Sequence, residues 1–372
     1  MENIGPLSAT EKVLKYYYLL RDILKNLSSK DLMTAAKVCR HWREAADNVK
    51  RRRKDPCLLA FSPIASTSYK ALKGQMENIR ILPRIGFCFL PKCLATTDAM
   101  CVIDVLPKRC EIIYFTGSTY GIASIYGIAS NREIHCMTHV GSTYTFLPEL
   151  PNMKIKIFML NNCSNIKQSH EYQEILKTIC ETSVSRHERT TCFMLFSPFS
   201  KIFYTRNLIL RWISAIRENK EITIDSVWGG CFNGVMYSTN QSTYTQPCTA
   251  VMITGAIKSW SIILNKDCKT EDQIEAKLTL FKDKVKLKKH SLGFMLLSRP
   301  SEESMDLDSE EVAAIFKELF PEVPLVGYRN QAIWNLFKPP TIDEEMEDNL
   351  TISDNLEYTE DGTTFFILTY DD

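Results

Sequence analysis

Apolar positions recur at helical spacing over the first fifty residues, then give way after Pro56 to short apolar runs broken by polar turns. Residues 11–54 read as helix. Leu20, Ile23, Leu24 and Leu27 form one short stripe, and Leu32, Ala35, Cys39, Trp42 and Ala46 form a second between Lys30 and Ala46. The second spacing makes Cys39 a core position. Ser28 stands where an N-cap belongs, with Asp31 three places on in capping-box spacing. Two or three short helices in about 45 residues cannot cover their own apolar faces, so this unit needs a neighbour.

Beyond Pro56, β-branched and aromatic runs predict strands at 58–61, 79–82, 86–90, 111–115, 134–137, 154–160, 192–196, 222–228, 250–254, 260–264, 292–297 and 364–370. Helices are expected near 168–182, 206–219, 270–286 and 309–320. The third sets Thr270 and Gln273 in capping-box spacing ahead of Ile274, Leu278, Phe281 and Val285, and the fourth is stopped by Pro321. Strands and helices mixed without strict alternation imply an α+β architecture. The expected organisation is a helical unit at 11–54 followed by a large mixed part in two stretches, 57–190 and 191–372. Polar, acidic loops are expected at 301–311 and 341–361. The short repeat beginning at Tyr120 and again at Tyr126 reads as a glycine-bearing loop or strand pair, its period being too short for a solenoid.

The 372-residue chain has a formal net charge of +1, which excludes a general polyanion binder and makes nucleic acid an unlikely partner. The charge is uneven. Residues 1–56 carry thirteen Lys or Arg against seven acids, while 341–372 carries eleven acids and no base. No leader pattern opens the chain and no run is long enough to span a bilayer, so no membrane partner is expected. The thirteen cysteines are odd in number and form no C-x-x-C pair, which suits buried apolar thiols in a reducing compartment, the cytoplasm or nucleus.

Sites of sharper chemistry are sparse. Gly229 and Gly230, with Gly234 nearby, read as a strand-end turn or as backbone amides facing a ligand; the P-loop lysine and G-x-G-x-x-G spacing are missing. Gly117–Gly121 has Thr119 where a nucleophile elbow needs Ser. His135, Cys136 and His139 lack a second ligand cluster for zinc. No catalytic residue, metal site or cofactor is therefore expected. The basic run Lys50–Lys54 reads as a solvated helix end, a nuclear localisation signal or a phosphate or nucleic-acid contact, and 282–290 as the solvated side of an amphipathic helix.

The segment from Leu27 to Arg43 resembles the second half of an F-box. Asp31, Leu32, Val38, Cys39, Trp42 and Arg43 match that motif in type and spacing, and Ile23, Leu24 and Leu27 fit its apolar helix; Lys15 and Tyr16 stand where the motif usually opens with Leu-Pro. The rest is similar to the F-box only protein 22 type, whose C-terminal region is a FIST domain. That similarity lies in Glu77–Pro83, His290–Met295 and Phe316–Gly327, with Trp228–Gly230 and Ile263–Asn265 as lesser landmarks. The resemblance implies a substrate receptor of an SCF-type ubiquitin ligase. Its F-box would dock the S-phase-kinase-associated adaptor, and through it a cullin scaffold, with Leu27, Leu32, Val38 and Trp42 in or beneath the interface. The FIST-like part would recruit a protein substrate. Trp228, Gly229, Gly230, Gly327 and Tyr328 are the candidate ligand or substrate loop, although Tyr328–Trp334 replaces the family's usual second glycine and Gly-Glu-Ile. The other reading open at this point is a small-ligand sensor or enzyme that uses the helices only for assembly.

Overall fold

The computed structural model describes residues 16–61, 68–91, 105–117, 125–126, 142–181, 185, 189–219, 224–239, 243–245, 248–265, 268–298, 309–330 and 362–371. Three helices come first: α1 (Tyr17–Leu24), α2 (Ser29–Ala35) and α3 (Arg40–Arg52). Leu20, Leu24, Leu32, Ala35, Ala36, Ala45, Ala46 and Val49 form their small core, with Tyr17, Leu27 and Trp42 packed against it. The expected N-cap is present: Ser28 Oγ accepts from Asp31 N at 3.1 Å and donates to Asp31 Oδ2 at 2.8 Å. The single helix expected across 30–46 is broken. The chain turns after Ala35, and Cys39 becomes the extended N-cap of α3, with φ −159° and ψ 174°. The break shifts the helical phase, so Cys39 is exposed and is not the core position that unbroken periodicity predicts.

Three sheets make up the rest. A six-stranded sheet runs β1 (Cys57–Phe61), β5 (Ser142–Pro148), β2 (Pro83–Pro91), β3 (Glu111–Gly117), β9 (Gly234–Ser238), β10 (Thr243–Thr245). A four-stranded sheet runs β6 (Met153–Met159), β11 (Thr249–Gly255), β7 (Thr190–Pro198), β8 (Ser226–Phe232). A five-stranded sheet runs β12 (Ile257–Asn265), β15 (Gly362–Tyr370), β13 (His290–Ser298), β14 (Leu325–Asn330), β4 (Ile125–Tyr126). Each mixes parallel and antiparallel pairs or is chiefly antiparallel; β2–β3, β7–β8 and β13–β14 are parallel. The architecture is α+β.

One face of every sheet points into a shared core where aromatic rings from all three meet. Phe87 lies 5.4 Å from Phe294, Phe115 lies 4.8 Å from Phe196, and Trp228 stacks on Phe366 at 4.8 Å. The opposite faces are covered by helices. Helix α4 (Ser68–Glu77) covers the six-stranded sheet; α5 (His170–Cys180) and α6 (Ile202–Arg217) cover the four-stranded one. Helices α7 (Glu271–Lys284) and α8 (Ser309–Leu319) cover the five-stranded one. Covered on both sides, β5, β8, β11 and β15 are buried at every position, so they read as continuous apolar or small-polar runs without alternation.

The four helices expected beyond residue 160 are present, and Gln273 Oε1 accepts from Thr270 N at 3.2 Å as the capping box requires. The strand expected at 79–82 is absent; 78–82 is an irregular strap between α4 and β2, with a turn at Asn78 and a bend at Ile81. The strand expected at 134–137, the His135–His139 cluster, most of the Tyr120 repeat, Gly121 and the loop 341–361 lie outside the described residues. Of the polar stretch 301–311, residues 309–311 begin α8. Strands from both sides of residue 190 share the four-stranded sheet, for β6 pairs with β11.

Candidate docking face and the joint behind it

Helix α1 carries apolar residues on two sides. Leu20 and Leu24 are fully buried in the helical core, whereas Tyr16, Leu19 and Ile23, spaced as i, i+3 and i+7, form a second stripe in solvent. Leu19 is 45% exposed, Ile23 46% and Val38, in the turn after α2, 63%. Tyr18 and Met33 are exposed as well. These six are a majority of the large apolar side chains exposed among the described residues, concentrated within 23 positions of the chain (16–38). A small helical unit that presents this much apolar surface on the side away from its own core has the chemistry of a docking module.

The sequence-predicted site residues divide between that surface and its support. Ile23 and Val38 are exposed and available to a partner, and Leu24 and Leu32 lie beneath, fully buried. Leu27 and Trp42 are partly buried against the same core. Asp31 is exposed and engaged with Ser28, so its visible role is to hold the start of α2. Arg43 is exposed with its Nε 3.4 Å from Ala36 O, bracing the turn between α2 and α3. Leu19 and Tyr16 were missed by sequence reasoning. Helical phase from Ile23 identifies both, since each lies a whole number of turns before it.

The unit is tied to the α+β body by polar contacts. Arg53 Nη2 donates to Lys25 O and Leu27 O, both at 2.8 Å, with Leu24 O at 3.4 Å, and Arg53 Nη1 donates to Arg80 O at 2.7 Å. Arg80 Nη2 donates to Lys25 O at 2.9 Å, and Ser29 N donates to Ile79 O at 2.8 Å. Helix ends leave carbonyls without intrahelical partners, and here the guanidinium of Arg53 satisfies those that follow α1. Burial, then the neighbouring Arg80 cation, lowers the Arg53 pKa from its ordinary value. The solvated-end reading of 50–54 is corrected at Arg53. Lys50–Arg52 finish α3, and Arg53 is committed to four carbonyls. A second tie follows: Tyr370 Oη donates to Lys54 O at 2.8 Å, and the buried His290 ring, stacked on Tyr370, lies 2.7 Å through Nδ1 from Asp55 Oδ1.

The other candidate loop is not a loop. Trp228, Gly229 and Gly230 are interior to β8 and fully buried. A Cβ on Gly229 would come 1.8 Å from Leu195 O of the paired β7, so glycine is required there by close backbone approach rather than by a turn. Gly327 pairs with Met295 and the backbone of Tyr328 with Leu296, in the body of β14. The chain does bend at Asn233, where it leaves the four-stranded sheet as β8 and joins the six-stranded sheet as β9.

Residues 17–54 match the family model of the F-box domain. Over 348 aligned residues the chain is 21% identical to F-box only protein 22 of Pongo abelii, covering 82% of this chain and 81% of that protein. A solved structure, cyanuric acid hydrolase from A. caulinodans, aligns with a TM-score of 0.35 at 7% identity over 86% of this chain and 99% of that one. At that TM-score the likeness supports no statement about fold or chemistry. Among the described residues, no helix is long and apolar enough to cross a membrane. The sequence match and the exposed second face of α1 coincide: the first three helices are an F-box domain joined to a large α+β body.

Proposed function

We propose that this chain is the substrate-recognition subunit of an SCF-type cullin–RING ubiquitin ligase and makes no bonds itself. The F-box docks the S-phase-kinase-associated adaptor through Leu19, Ile23 and Val38, with Leu24, Leu27, Leu32 and Trp42 shaping the surface from below. The α+β body, read as FIST-like from Glu77–Pro83, His290–Met295 and Phe316–Gly327, holds a protein substrate for ubiquitylation and degradation in the cytoplasm or nucleus. Catalysis is by proximity, which raises the effective concentration of a substrate lysine at the charged ubiquitin carrier.

The observation that carries this reading is the second apolar stripe of α1, in solvent within a segment that matches the F-box domain. Reconstitution tests it. The full chain mixed with adaptor and cullin is expected to elute as one complex, and Ile23→Glu with Val38→Glu to release it while circular dichroism stays unchanged. A full chain that stays separate from the adaptor at micromolar concentration refutes the assignment.

A further inference from the structure

The apolar core of the F-box unit shares no residue with the cores of the body. Among the described residues, a set of directional hydrogen bonds joins the two, and directional bonds fix an angle. The ties leave from separate places: Ser29 at the start of α2, Arg53 just past α3, and Lys54 and Asp55 in the linker. They land on the strap 78–82 and on β13 and β15. A unit tied at one point pivots, and a unit tied at several does not.

We propose that Arg53 is a positioning residue. Its planar fork locks the F-box unit at one angle to the α+β body, and the Lys54–Tyr370 and Asp55–His290 contacts act as a second latch. The chemistry favours arginine specifically. One guanidinium reaches carbonyls on both sides of the joint, Lys25 and Leu27 in the F-box unit and Arg80 in the strap. A lysine ammonium, a single point charge on a flexible stem, cannot span them together. Sequence segments that appear unrelated converge here. The strap lies within Glu77–Pro83 and the latch histidine opens His290–Met295, so both islands of family resemblance meet the F-box at its joint. The consequence for ubiquitin transfer rests on the function proposed above: a fixed angle sets the reach from adaptor to substrate.

The test uses the full chain, with nitroxide labels at the exposed Cys39 on the F-box unit and Cys180 at the end of α5, and with Cys93, Cys101, Cys136 and Cys163 changed to serine. Pulsed dipolar spectroscopy of the parent chain is expected to give one narrow distance distribution. Arg53→Ala widens it by roughly twofold or more at temperatures where the body remains folded, and Arg53→Lys does not restore it. The exposed Arg51→Ala leaves it narrow. In the reconstituted ligase, Arg53→Ala slows self-ubiquitylation by about tenfold, while the adaptor Kd moves by less than about twofold because the docking stripe is elsewhere. A distribution that stays narrow in a folded Arg53→Ala overturns the proposal, as does full restoration by lysine. If Arg53→Ala does not fold, Arg53→Met keeps an apolar stem in place and removes every guanidinium hydrogen bond; unchanged width there overturns it equally. Failure of the parent chain to bind adaptor strikes the function reading alone, because the distance measurement needs no partner.

Discussion

The docking stripe lends itself to a quantitative test. Leu19, Ile23 and Val38 retain 45%, 46% and 63% of their surface in solvent. Complete burial of such side chains contributes about 1.5–3 kcal/mol each. Covering the exposed fraction of all three, and discounting the Cβ that alanine retains, gives about 2–3 kcal/mol lost from binding in the Leu19→Ala, Ile23→Ala, Val38→Ala variant. That corresponds to a Kd roughly 30- to 150-fold weaker. Folding suffers little, because the same surface is already hydrated in the free chain and alanine is the best helix former for the two positions in α1. Isothermal titration of the full chain with purified adaptor reads the change directly, with circular dichroism as the folding control. A loss smaller than about threefold in a folded variant would refute the argument that this stripe is the docking surface.

Leu32→Ala truncates one of three fully buried leucines in a core whose other half is alanine, at a cost of about 2–5 kcal/mol; limited proteolysis is expected to cut within 16–54 first and leave the body intact. Gly229→Ala forces a Cβ against Leu195 O and is expected to cost about 3 kcal/mol or more, whereas Gly74→Ala, on open space in α4, stabilises by about 0.4–1 kcal/mol. Urea midpoints compared with the parent separate the two, and equal midpoints would contradict the packing argument. Burial raises the thiol pKa values of Cys110 and Cys192 to about 12 and of Cys231 to about 11. A folded pKa above the unfolded one gives stability that is whole below the unfolded value of about 8.5 and is lost as pH rises, by about 1.4 kcal/mol per pH unit for each thiol. Urea midpoints between pH 8 and 10 should fall accordingly, and less steeply in Cys192→Ala measured against its own value at pH 8.

Some of the fold was legible because its causes are local. Ser28 and Asp31 mark the start of α2 from three residues apart, Thr270 and Gln273 mark α7, and Pro321 ends α8. The strand at 79–82 was misread for a physical reason. Ile79 and Ile81 are apolar at alternate positions because both enter the core beneath α4, yet the carbonyls of Ile79 and Arg80 are taken by Ser29 and Arg53 and not by a neighbouring strand. Gly229 and Gly230 looked like a turn because a glycine pair carries turn chemistry by default. Only the closeness of β7 to β8 explains a glycine inside a strand.

By itself the sequence determined the helical unit, its resemblance to an F-box, the mixed α+β class and most element types, since each rests on spacing within a few residues. The tertiary structure decided which face of α1 is left in solvent, where the second stripe breaks at Cys39, and how the unit is attached. The reason is separation along the chain. Arg53 finds its acceptors 26 to 29 residues upstream and 27 downstream, and His290 meets Asp55 across 235. Periodicity carries no information over such distances; only the folded chain brings those donors and acceptors together.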